Sequence, residues 1–195
     1  MTIFNRQRLT NDVFKIDVKR MRRGWYSDKY FENIGVMLSS LAEQGYLFKG
    51  DALSLADVDL SNTEVGNLEV EMQWFTRRTG KVVVAGVDKA LTMLKHCSGY
   101  FNDDGKFINT WNHLEVEAVH DGDNVTFEGD PASIQPVIRV RGRYRDFALL
   151  ETPTLGLLTR SSRVATNVYE TLKSARGKPV LFFPARFDLH EVQAA

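Results

Sequence analysis

Arginine supplies most of the side chains in this sequence that could do chemistry. Arg139, Arg141, Arg143 and Arg145 recur at every second position, and on an extended strand they share one face. Such a face is either a solvated strand surface or an anion-binding one, because the guanidinium fork matches phosphate geometry. Arg20, Arg22 and Arg23 precede Gly24-Trp25-Tyr26. A basic cluster beside aromatic rings can grip a nucleotide or a phosphate, or can simply form a surface turn. The third feature is Phe183-Pro184-Ala185-Arg186, at the end of an apolar run that starts at Pro179. An aromatic followed three residues later by arginine offers a stacking plate and a phosphate clamp. The carboxyl ends of strands are also where a (β/α) barrel builds its site.

Other chemistries are poorly served. His96, His113, His120 and His190 are scattered and lack the paired spacing of a metal site. No glycine-rich phosphate or dinucleotide loop is present. The single cysteine, Cys97, excludes an intrachain disulfide and ends an apolar helix-like stretch, so a buried structural thiol is expected. The 195 residues carry 25 Lys plus Arg against 25 Asp plus Glu. Zero formal charge gives no bulk attraction to nucleic acid or anionic membrane. No apolar run approaches the ~20 residues that span a bilayer. The first residues lack a signal-peptide pattern, so a cytoplasmic location is expected.

The elements that must position these groups follow from periodicity. Asp28 to Leu41 has helical apolar spacing, with Asp28 or Ser27 at its start. Gly50 to Asn67 reads as a loop. Leu68 to Phe75 alternates as a half-buried strand, and Arg77 to Gly80 turns into a second strand, Lys81 to Val87, giving an expected hairpin. Asp88 is the expected N-cap of a helix to Cys97. Strands return at Leu114 to Val119 and Val137 to Val140. Asp146 is expected to cap a helix from Phe147 to about Leu158, with a second helix from Ser162 to Ala175 ended by Gly177. Pro179 to Phe183 reads as a buried parallel strand. The expected class is α+β. Residues 1–150 form an α/β sandwich with an antiparallel sheet, and 151–195 hold the first helices and first strand of an incomplete α/β barrel.

Three blocks resemble the nicotinate phosphoribosyltransferase family. They are Glu151-Thr152-Pro153-Thr154-Leu155 through Arg160, Val164-Ala165-Thr166-Asn167, and Lys178 through Asp188. Leu9 to Lys15, Trp25 to Phe31, Met72 to Phe75 and Gly86-Val87-Asp88 also fit. The resemblance implies a type II phosphoribosyltransferase joining nicotinate to phosphoribosyl pyrophosphate, giving nicotinate mononucleotide and pyrophosphate, often with ATP hydrolysis and with Mg²⁺. It implies a dimer with sites built across the interface.

By the same resemblance Phe183 stacks on the pyridine ring, and Arg186 contacts phosphate or the nicotinate carboxylate. Phe14 stands where the family often has a tyrosine from the neighbouring subunit. Arg22, Arg23 and Arg160 are candidate phosphate ligands. Pro184 and Phe187 depart from the family's glycine and second arginine, and Glu32 to Gly35 stands where an arginine is usual. The catalytic groups are expected beyond Ala195, so the 195-residue chain alone should not turn over nicotinate. Two alternatives are a quinolinate-type phosphoribosyltransferase and a non-catalytic module binding phosphate or nucleic acid through Arg139 to Arg145. The quinolinate type would want a denser basic set for its second carboxylate and a Thr-Arg-Lys-Thr type strand ending. Zero net charge weighs against the binding module.

Overall fold

The structure, a computed structural model, describes residues 7–50 and 59–183. Its helices are α1 (Val18–Met21), α2 (Lys29–Glu43), α3 (Val87–Cys97) and α4 (Glu151–Ala175). Its strands are β1 (Glu69–Phe75), β2 (Gly80–Val83), β3 (Gly99–Phe101), β4 (Phe107–Asn109), β5 (Glu115–Ala118), β6 (Asn124–Phe127) and β7 (Pro136–Arg143). They form three antiparallel sheets ordered β1-β7-β5, β2-β6 and β3-β4. Mixed helices and antiparallel sheets place the chain in the expected α+β class.

The alternation over 68–75 produces β1 as expected, with Trp74 buried. The expected hairpin with the following strand does not form. β1 pairs instead with β7, and β2 pairs with β6. The reason lies in the side chains. Opposite β1, the buried face of β7 sets Gly142 against Val70, Val140 against Met72 and Ile138 against Trp74. The other face sets Arg143 against Glu69 and Arg141 against Glu71. Opposite charges directly across strands stabilise the pairing, and β2, with a single lysine, offers no such complement. β6 escapes notice in the sequence because Val125 is its one deeply buried residue.

α3 also begins differently. Its N-cap is Gly86, with φ of 94°, a left-handed conformation that suits glycine. Asp88 lies in the first turn and is buried. Its carboxylate accepts the Leu9 N–H and the Arg8 guanidinium, each at 2.8 Å, and so ties the N-terminal segment to the domain.

The two helices expected after Phe147 are one. Asp146 caps nothing: it is buried and pairs with Arg143, and two 3₁₀ turns lead into α4 at Glu151. Pro153 does not break the helix, because first-turn N–H groups have no intrahelical acceptor. Left-handed Arg176 and Gly177 end it.

α4 carries Thr154, Leu158, Ser162 and Thr166 at four-residue intervals, hence on one face. The buried Trp74 Nε1–H donates to Thr154 Oγ1 at 3.0 Å. The Ala85 N–H donates to Ser162 Oγ at 3.1 Å, and the Val83 N–H to Thr166 Oγ1 at 3.0 Å. Helix hydroxyls thus satisfy strand-edge donors at and beyond the end of β2.

Of the apolar residues of α4, Leu158 is buried and Leu157 half-buried, whereas Leu155, Val164, Val168 and Leu172 are exposed. The expected strand at Pro179 to Phe183 is absent. That stretch is irregular, and Phe183 is 74% exposed. A strand needs a ladder partner, and no described strand lies beside it.

Two measurements probe this packing. Thr154→Val leaves the buried Trp74 N–H unpaired, so urea denaturation should show a loss of about 1–3 kcal/mol with an unchanged slope. Cys97 is buried, and burial pushes its thiol up to about 11. The native protein should therefore react with a disulfide reagent at pH 8 at least roughly tenfold more slowly than the denatured chain.

Candidate functional site

At the start of α4 two helices meet. Asp28 and Tyr30 from the start of α2, with Glu151, Thr152, Leu155, Gly156, Thr159, Arg160 and Arg163 of α4, line an open depression of about 510 Å³. The three- and four-residue spacings along α4 put its contributors on one side of the helix. Thr152 joins the two helices. Its hydroxyl accepts the Asp28 N–H at 3.2 Å and lies 3.2 Å from Asp28 Oδ2 and 3.4 Å from Glu151 Oε2. One hydroxyl proton cannot serve both carboxylates at once.

That arrangement sets the local electrostatics. Burial raises the Glu151 carboxyl above its usual range; the Thr152 hydroxyl opposes this and the nearby Asp28 charge adds to it. Tyr30 and Tyr144 are raised by burial first and by the Glu151 charge second. Arg163 lies twelve residues along the helix from Glu151, or about 18 Å at 1.5 Å per residue. The depression therefore has an acidic end that can accept from hydroxyls and a cationic end that can hold phosphate or carboxylate. Its described lining offers carboxylates, hydroxyls and guanidinium groups.

Of the residues expected at a site, Arg160 lines this depression. Arg22 is engaged elsewhere: its Nε and Nη2 donate to the His96 carbonyl at 2.9 and 2.7 Å, and its guanidinium sits 4.0 Å above the Phe107 ring. Arg23 lies over Phe101 at 5.7 Å. Phe14 is half-buried in the segment bound to α3, Phe183 is exposed, and Arg186 lies outside the described residues. Arg139, Arg141 and Arg143 share a face of β7, whereas Arg145 lies in the 3₁₀ turn that follows it, and acids already meet all four. Arg139 and Arg141 pair with Glu71, Glu117 and Glu115, while Arg143 and Arg145 face Asp146.

Asp28, Tyr30, Thr152 and Arg163 were not expected at a site. Asp28 and Tyr30 read only as the start of a helix. The signal that could have found Arg163 is its four-residue spacing from Thr159 and Leu155.

The family described as "Quinolinate phosphoribosyl transferase, N-terminal domain" matches residues 57–162, more than half of the chain. No curated protein matches the sequence. Among solved structures, the crystal structure of nicotinate-nucleotide pyrophosphorylase from Pyrococcus furiosus shares the fold, with a TM-score of 0.57 and 18% identity. The similarity covers 92% of this chain and 36% of that one, so the chain spans about a third of its neighbour's length. Fold and family match define the class, an N-terminal domain of the phosphoribosyltransferase kind. Within it, the chain belongs to the quinolinate phosphoribosyl transferase N-terminal domain family.

This overturns the resemblance to nicotinate phosphoribosyltransferase. Part of that resemblance, Glu151 to Arg160, falls inside the quinolinate family's match. Its most specific block, Lys178 to Asp188, lies outside the match and largely outside the described residues.

The raised Glu151 has a consequence for stability. A carboxyl whose folded pKa lies above its unfolded value stabilises below the unfolded pKa, and that contribution is lost as pH rises through the folded pKa. Glu151→Gln removes this dependence. The variant should be at least as stable as the parent near pH 7, and any advantage should vanish near pH 4. Denaturation midpoints at the two pH values check the sign.

Proposed function

We propose that this chain is the N-terminal part of a quinolinate-type phosphoribosyltransferase, and that the depression at the start of α4 binds substrate. The enzyme would transfer the phosphoribosyl group of phosphoribosyl pyrophosphate to the ring nitrogen of a pyridine carboxylate and release pyrophosphate. The family match over residues 57–162 carries this proposal. Quinolinate bears one carboxylate more than nicotinate. Formation of a nicotinate nucleotide therefore requires that carboxylate to leave as carbon dioxide, with a solvent proton taking its place on the ring carbon.

In this proposal Arg160 and Arg163, at the cationic end, hold phosphate or carboxylate oxygens through guanidinium forks. Asp28 and Glu151 accept from sugar hydroxyls at the other end. Transfer at an anomeric carbon develops positive charge on the sugar and negative charge on the leaving pyrophosphate, so fixed charges of both signs are useful near the reaction. A second protomer completes the site. No group of three His, Cys, Asp or Glu among the described residues could hold a metal ion. Mg²⁺ would arrive with the pyrophosphate oxygens, and the residues described here do not fit a resident metal.

Titration calorimetry on the chain tests the proposal. Phosphoribosyl pyrophosphate should bind, and Arg160→Gln and Arg163→Gln should each weaken it about tenfold, or about 1.4 kcal/mol. Quinolinate should bind more tightly than nicotinate. Absent binding, or affinity indifferent to both arginines, overturns the assignment of the depression. A preference for nicotinate overturns the choice of acceptor.

A further inference from the structure

A second concavity runs along the opposite side of the Leu155–Thr159–Arg163 ridge. It is a groove of about 950 Å³ between α4 and the β1–β2 region. It exists because β1 and β2, though consecutive, enter different sheets and diverge. Its floor is apolar: Trp74, Val82, Val84, Val125 and Leu158. Its mouth is cationic, lined by Arg77 and Arg78 of the β1–β2 connection and by Arg163, with Asn167 beside them.

Several other arginines of the domain are neutralised. Arg8, Arg20, Arg139, Arg141 and Arg143 each meet a carboxylate. Among the described residues no carboxylate does this at the mouth of the groove. Arg77 sits 5.7 Å from the Phe75 ring centroid. Arg78 reaches only the neutral Asn167 Oδ1, at 3.4 and 3.5 Å, beyond ordinary hydrogen-bond length. The one acid lining the groove, Glu151, lies about 18 Å from Arg163 along the helix. Un-neutralised guanidinium groups over an apolar cleft select a molecule with an anionic head and an apolar body. The head gains charge-assisted hydrogen bonds, and the body is removed from water.

We propose that this groove binds a small amphipathic anion, a carboxylate or phosphate monoester, its head held by Arg77, Arg78 and Arg163 and its apolar body against Met72, Phe75 and Leu155 above the buried floor. The groove shares Arg163 and the Leu155–Thr159 ridge with the substrate depression, but its Arg77, Arg78 and apolar floor do not reach the depression, and its binding does not depend on the proposed reaction. Arg77 and Arg78 line the groove and not the depression, so substituting them distinguishes the two.

The test uses displacement of 8-anilinonaphthalene-1-sulfonate from the 195-residue chain by octanoate, octyl phosphate and octanol. Octanoate or octyl phosphate should displace the dye at least roughly tenfold more effectively than octanol, which lacks the charge, and the better of the two identifies the head group. In Arg77→Gln/Arg78→Gln that advantage should fall at least roughly tenfold, while octanol changes less than about twofold. Arg77→Lys/Arg78→Lys should restore part of it, since charge returns without the fork. Both arginines are exposed, and circular dichroism reports whether the variants keep the fold. Equal displacement by all three compounds, or an anion advantage that survives in the glutamine variant, overturns the proposal. So does a lysine variant that folds and recovers nothing.

Discussion

Hydroxyl groups on one face of α4 hold the domain's longest helix against its strands. Thr154 accepts from the buried Trp74 indole, Ser162 from the Ala85 amide and Thr166 from the Val83 amide. Strand-edge N–H groups buried without partners would be costly, and each hydroxyl removes one such cost while adding no bulk. Because small side chains make these contacts, the helix backbone can approach the strands closely, and Leu158 fills the space between. Packing at Gly86 is just as tight, since an added Cβ there would lie 3.1 Å from Ser161 Oγ. The position of α4 then decides the rest. Its first turn delivers Glu151 and Thr152 to Asp28, and its outer side carries the ridge that divides the two concavities.

Charge is organised around the same helix. The central strand β7 presents a row of arginines, and nearby acids neutralise them, so that face holds the sheet together. Among the described residues, no acid pairs with the guanidinium groups at the mouth of the groove. Pairing in the sheet and the lack of pairing beside α4 follow from register. β7 finds Glu71, Glu115 and Glu117 directly across from it, whereas the β1–β2 connection has no facing strand to supply a carboxylate.

Membership of the quinolinate phosphoribosyl transferase N-terminal domain family gives these features a setting. The chain is about a third as long as its solved structural neighbour, and its depression at the start of α4 is lined by two carboxylates, two arginines and hydroxyl groups.

Local pattern was enough for much of the secondary structure. The period-two run in β1, the helical spacing of α2 and the apolar run into Cys97 each reflect one element burying one face, and neighbouring residues carry that information. The α+β class followed from them, as did the buried thiol and the shared face of Arg139, Arg141 and Arg143. Partner choice did not. Whether β1 would pair with β2 or with β7, some sixty residues away, depended on charges and volumes meeting across a ladder that local spacing does not describe. The depression was hidden for the same reason. Asp28 and Glu151 are 123 positions apart, and only the docking of α4, through hydroxyls that in sequence look like ordinary helix-surface threonines and serines, brings them to the same Thr152. The stretch at Pro179 to Phe183 shows the converse: its apolar composition favours a strand, but a strand exists only where another supplies hydrogen-bond partners, and that is a property of tertiary structure.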